Sequence, residues 1–134
     1  MGCTRNENAN GSSTISPVAS IEQVRAIKDR SENGLIAFDF YADWCGPCRI
    51  LAPTLEAIAQ ENKSRITFYR INIDNIPQAA QLFKVDRIPF VVFIKNKEVI
   101  AEFAGIQPRE KYTDAIAANS VKPAVEKSPA DTTL

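Results

Sequence analysis

The chain of 134 residues has no histidine, five glycines and no excess charge of either sign, with 16 Lys and Arg against 16 Asp and Glu. Each shortage excludes something. Without His there is no Ser-His or Cys-His nucleophile, no HExxH metal site and no Cys2His2 finger. The glycines stand at 2, 11, 34, 46 and 105, and no spacing among them makes a GxGxxG or Walker phosphate loop. Charge balance gives neither the basic patch that nucleic acid requires nor an acidic solvating tail. The longest apolar run, Ile88 to Ile94, is seven residues, against about 20 for a spanning helix. No apolar stretch near the start reads as an intact secretory signal. Chemistry in this chain therefore rests on sulfur, carboxylates, Lys or hydroxyls.

What is present fits one domain. Residues 1–17 are polar and read as a flexible arm, with Thr14 to Val18 a candidate edge strand whose Pro17 suits an edge. Residues 18–119 carry the periodic pattern of a domain, and 120–134 read as a flexible tail. Ser20 followed by Gln23 is a capping box, with Ile21, Val24 and Ile27 at helical spacing behind it and Gly34 in the C′ role. Leu35 to Tyr41 reads as a buried strand. Ile50, Leu51, Leu55, Ile58 and Ala59 mark the apolar face of a second helix, which Pro53 should kink. A strand over 65–73, a short helix over 77–83, a hairpin from Phe90–Ile94 into Glu98–Phe103 and a last helix after Pro108, with Tyr112, Ala115 and Ile116 inward, complete the pattern. The order β-α-β-α-β-α-β-β-α predicts an α/β fold, a mixed sheet with helices on both faces.

Two features carry chemistry. Cys45-Gly46-Pro47-Cys48 opens a helix. A thiolate at Cys45 would meet unpaired backbone N–H groups and the positive end of the helix dipole, which lowers its pKa. Cys48, one turn further in and expected to be the more buried, is placed to attack a mixed disulfide on Cys45. The same pair could be half a zinc site, although only Cys3 remains as a third sulfur ligand, or a structural disulfide, although so short a loop constrains the unfolded chain little. Asp39 interrupts an apolar strand on the face of Ala37 and Tyr41. A buried carboxylate there should have a raised pKa and serve as general base to Cys48, unless it is exposed or paired with a basic residue.

The stretch Phe38-Asp39-Phe40-Tyr41-Ala42-Asp43-Trp44-Cys45-Gly46-Pro47-Cys48 resembles the active-site segment of the thioredoxin family. Ala52-Pro53, Asn72-Ile73-Asp74, Ile88-Pro89 and Gly105 match further family positions, so the resemblance runs from Ser20 to Asn119. It implies the thioredoxin fold and a protein-disulfide reductase with Cys45 attacking, Cys48 resolving and Asp39 accepting a proton. Pro89 would be cis beside the disulfide. The Ile88 backbone would pair with an incoming substrate strand, and Trp44, Gly46, Pro47, Gly105 and Ile106 would complete the docking rim. The Pro between the cysteines goes with the family's reducing members. No cofactor or metal is implied beyond the cysteine pair. The implied partners are disulfide-containing proteins and an electron donor resembling thioredoxin reductase, with the chain working as a monomer.

Some positions depart from the pattern. Phe90 follows the cis-proline site where Thr is usual, and either thickens the core or alters substrate choice. Arg70 replaces a common Lys beside the buried Asp and cannot give up its proton. Lys97 replaces the hairpin Gly, which suggests another turn type. The cytoplasm is the expected location. Gly2 or Cys3 could instead carry lipid, or Cys3 could mark a lipoprotein junction, which would tether the domain at a membrane or in the cell envelope. A tethered member of an envelope redox pathway and a non-catalytic binding module are the alternative readings.

Overall fold

A computed structural model describes residues 13–120. In chain order the elements are β1 (Ser16–Pro17), α1 (Ile21–Asp29), a 3-10 turn (Arg30–Asn33), β2 (Leu35–Tyr41), α2 (Gly46–Glu61), β3 (Ile66–Asn72), α3 (Pro77–Leu82), β4 (Phe90–Lys95), β5 (Glu98–Ala104) and α4 (Arg109–Asn119). The five strands form one sheet in the order β1-β3-β2-β4-β5. β1, β3 and β2 are parallel, while β4 runs antiparallel to both β2 and β5. The mixed sheet expected from the element order is the one observed.

Strand alternation divides the core between the two faces. Ile36, Phe38 and Phe40 of β2 pack with Val92 and Ile94 of β4 under Val24 and Ile27 of α1 and Ala79 of α3. Leu35 and Ala37 point the other way and pack with Phe68, Val91 and Phe93 under Leu51, Leu55 and Ile58 of α2 and Tyr112 and Ile116 of α4. Both faces are thus covered, which is why β2 reads as a continuous apolar run broken only at Asp39.

The structure changes several local expectations. The boundary drawn after residue 17 falls inside the fold, because Ile15 is buried in the α2-side core and Ser13 and Thr14 bond to Glu56. The Ser20 hydroxyl accepts from the Gln23 N–H at 3.1 Å, but the Gln23 side chain reaches past Ser20 and accepts from the Ala19 N–H at 2.7 Å. α1 ends at Asp29, and a 3-10 turn separates it from Gly34, which takes φ 157° and ψ 172° rather than the left-handed helical cap. Ile50 is 68% exposed and leaves the apolar face of α2 at Leu51 and Leu55. Pro53 lies inside α2, as its place in the apolar pattern requires. Phe90 is buried and its ring packs on Phe40, so this departure thickens the core on the α1 face. Asn96 and Lys97 both have positive φ, 53° and 68°. That is the requirement of the ordinary two-residue hairpin turn, so Lys97 occupies the expected turn rather than signalling another.

Candidate active site

The site forms where β2 passes into α2. The Cys45 N–H bonds to the Ala42 carbonyl at 3.2 Å, closing a tight turn. Gly46 and Pro47 are the first two residues of α2, where a proline's missing N–H costs nothing. Cys45 is the N-cap, and its Sγ accepts from the Cys48 backbone N–H at 3.2 Å. The sulfur therefore takes the place that a Ser or Asp oxygen fills at an ordinary helix start. Cys45 and Cys48 are joined in a disulfide with Cα atoms 5.3 Å apart. Both are buried, at 4% and 7% exposure, so Cys48 is not the more enclosed of the two. A four-residue turn holds both sulfurs against the same wall.

That wall is Ala42 with Tyr41, Ile73 and Ile88. The Ile88–Pro89 peptide is cis. The Gly105 N–H bonds to the Pro89 carbonyl at 2.8 Å, which brings the end of β5 to the proline, and Gly105 takes φ 72° there. Ile106, the next residue, is 47% exposed, and Trp44, the residue before Cys45, is 66% exposed. An open cleft beside Trp44 continues along Ile73, Val85, Arg87 and Ile88. The residues expected from sequence to form a docking rim are thus held by the cysteine turn, the cis-proline loop and the β5–α4 loop.

Asp74 was legible as part of a motif but not in its role. The Trp44 Nε1–H donates to Asp74 Oδ2 at 2.9 Å. The Asn72 side chain in turn accepts from the Asp74 N–H at 2.9 Å, fixing the turn after β3. The Asn72-Ile73-Asp74 triplet thereby orients the exposed indole beside the disulfide. Only the spacing of an Asn and an Asp behind a strand could have hinted at it.

Asp39 lies on the α2 face of β2, 5% exposed. Burial pushes its carboxyl up to about 6, against a smaller downward pull from the Arg70 guanidinium. Arg70 is its register partner on β3. The guanidinium lies 4.3 Å over the Tyr41 ring, and its Nε is buried without a hydrogen-bond partner. Arg70 and Cys48 line one cavity of about 100 Å3, together with Tyr41 and Ala52. Among the described residues no hydrogen bond joins the Asp39 carboxyl to either sulfur. The third cysteine, Cys3, and Gly2 lie outside the described residues.

The thioredoxin family profile matches residues 19–118. The chain belongs to the thioredoxin family. It is 33% identical over 88 residues to thioredoxin of Staphylococcus saprophyticus, spanning 66% of this chain and 85% of that one. Thioredoxin of Chlamydia pneumoniae is 38% identical over 84 residues, 63% of this chain and 81% of that one. The chain spans about half of some longer relatives, 45% of the chloroplastic M-type thioredoxin of Spinacia oleracea and 48% of thioredoxin-T of Drosophila melanogaster. Among solved structures, Fasciola hepatica thioredoxin superposes with a TM-score of 0.72 at 30% identity, covering 78% of this chain and 99% of that one. Thioredoxins are thiol–disulfide oxidoreductases that work through their cysteine pair alone, act on protein disulfides and are recharged by a thioredoxin reductase. The Cys45–Cys48 disulfide has the position and form of that pair.

Proposed function

We propose that the protein reduces disulfides in other proteins, acting as a monomer. The observation that carries this reading is the Cys45 sulfur at the α2 N-cap, accepting the Cys48 N–H. In the reduced protein the same N–H group and the helix dipole stabilise a Cys45 thiolate. That thiolate attacks a substrate disulfide, forms a Cys45–substrate bond and expels the first substrate sulfur as thiolate. Cys48 then loses its proton, with Asp39 as acceptor, and attacks the Cys45 sulfur. The Cys45–Cys48 disulfide forms and the second substrate thiol leaves. Two electrons pass from protein to substrate, and an electron-donor reductase returns them.

An incoming peptide would lie against Trp44, Ile106 and the Ile88–Pro89 backbone. Extended main chain pairs there irrespective of side chain, which suits many partners. The setting is the cytoplasm, with a lipid tether at Gly2 or Cys3 in the cell envelope as the alternative. Mass spectrometry of the native N-terminus separates these.

The test is turnover of a disulfide-bonded protein with a reductant, beside alkylation of Cys45 across pH. Wild-type protein should turn over and show a Cys45 pKa below that of a free thiol, about 8.5. Cys45→Ser should abolish turnover, and Cys48→Ser should trap mixed disulfides on Cys45. Full turnover by Cys48→Ser would overturn the two-step exchange.

A further inference from the structure

Asp86 and Arg87 stand just before the Ile88–Pro89 cis peptide, in the connection between α3 and β4. Adjacent opposite charges in a short connection ordinarily mark a solvated loop. Here both residues line the open cleft that begins at Trp44, about 320 Å3, whose walls include Ile73, Val85 and Ile88. An apolar trough beside the cysteine turn thus carries its charge at one place. The Arg87 side chain is 69% exposed, and its Nε stands 3.7 Å from Asp86 Oδ1, on a side chain 82% exposed. That separation is beyond hydrogen-bond length, and an ion pair so open to water contributes little. Among the described residues no hydrogen bond engages the Arg87 guanidinium, so its two terminal nitrogens are available to a carboxylate.

The other charges near Trp44 are committed or lie elsewhere. Asp74 accepts the Trp44 Nε1–H at 2.9 Å. Arg49 donates to the Asp43 carbonyl, and both residues border the cavity that Arg70 and Cys48 share rather than the cleft. We propose that Arg87 is a specificity-determining residue that selects protein substrates carrying Asp or Glu within two residues of the disulfide cysteine. Such selection presupposes the disulfide-reductase reading and names its preferred substrates. A peptide laid against the Ile88–Pro89 backbone passes within one residue of Arg87, so a carboxylate on it reaches the guanidinium fork while apolar neighbours settle in the trough. The fork binds a carboxylate through two parallel N–H···O bonds, which the long contact with Asp86 does not supply. Main-chain pairing still admits other sequences, and Arg87 ranks them.

The test is kcat/KM for disulfide-linked peptides that differ only in carrying Glu, Gln or Lys beside the attacked cysteine. Neighbouring charge also alters the peptide's own thiols, so the quantity read is the change in the Glu-to-Gln ratio between wild type and variant. Arg87→Gln should lower that ratio about fivefold at low salt, the scale of one charge-assisted contact at an exposed site. Arg87→Glu should lower it further and raise the Lys-to-Gln ratio. At about 1 M salt, where the Debye length is about 3 Å, these differences should largely vanish. A Glu-to-Gln ratio unmoved by both Arg87 variants overturns the proposal, while turnover itself still upholds the reductase reading. A wild-type preference for Lys that is lost in Asp86→Asn would make Asp86 the selector and also overturn it. If no peptide is turned over, the reductase reading falls and Trp44 decides the selection separately. Trp44 is the chain's only Trp and lines the cleft, so its emission reports the binding of peptides with Ser in place of Cys to the oxidised protein. Tighter binding of the Glu peptide by wild type, lost in Arg87→Gln, upholds the selection, and equal binding overturns it.

Discussion

Asp39 is a costly residue at the position it holds. Its carboxyl binds a proton more tightly in the folded protein, at about 6, than in the unfolded chain, at 3.8. Between those values the folded state keeps a proton that the unfolded state has shed. Stability from this group is therefore greatest below the unfolded pKa and is lost as pH rises through the folded one. At pH 7 the cost is about 3 kcal/mol. Asp39→Asn should recover much of it and flatten stability against pH between roughly 4 and 6, measured by denaturant titration. The same variant should slow the step in which Cys48 resolves a mixed disulfide. A less stable Asp39→Asn at pH 7 would contradict this account. The burial of Asp39 was legible because one carboxylate inside an apolar strand has nowhere else to go. Its neighbours were less so. Spacing placed Tyr112 on the inward face of its helix, but nothing local says that a helix about 70 residues after Asp39 covers the same sheet face. Ile50 misled for a related reason, since apolar periodicity marks a stripe and does not say where the neighbouring strand stops covering it.

At the level of elements, helix and strand types followed from periodicity, while their ends were set by contacts distant in sequence. The hairpin between β4 and β5 is an example. Its turn docks on the 3-10 segment, with the Asn96 N–H on the Ser31 carbonyl at 3.2 Å and the Lys97 N–H on the Ser31 hydroxyl at 2.6 Å. Those bonds hold Lys97 at a φ of 68°, where a side chain is disfavoured. Lys97→Gly keeps both backbone donors and removes the steric cost, so it should stabilise the protein by about 1 kcal/mol, within the offset of glycine's extra unfolded-state freedom. Chemical denaturation checks this, and a destabilised variant would mean that the Lys97 stem contributes packing that outweighs the strain. The start of α2 shows the opposite relation. There Cys45 is both cap and reactive group, so the motif that names the chemistry also fixes the helix boundary.

For the molecule as a whole, both cores share one sheet, and neither face can come apart without exposing β2. A single cooperative unfolding transition is expected. The disulfide closes a loop of only four residues, which in the chain-entropy estimate contributes about 2 kcal/mol, at the low end of the usual range. Reducing Cys45–Cys48 should therefore lower the unfolding midpoint modestly and leave one transition, as followed by calorimetry with and without reductant. Loss of the fold on reduction would show that the bond is structural, and that a protein built to cycle between two redox states could not do so.

The sheet also has two outer margins. On one side lies β1, two residues long and ending in Pro17, which has no N–H to offer a neighbour. On the other lies β5, whose Glu98 and Glu102 are exposed. Short length, proline and like charges all oppose the stacking of one copy's sheet against another's. On the proposed function, a reactive loop that accepts extended chains of many sequences risks accepting its own kind. These margins are poor templates for further strands, which discourages self-polymerisation at the sheet and, on the proposed function, leaves peptide capture to the loop beside Pro89.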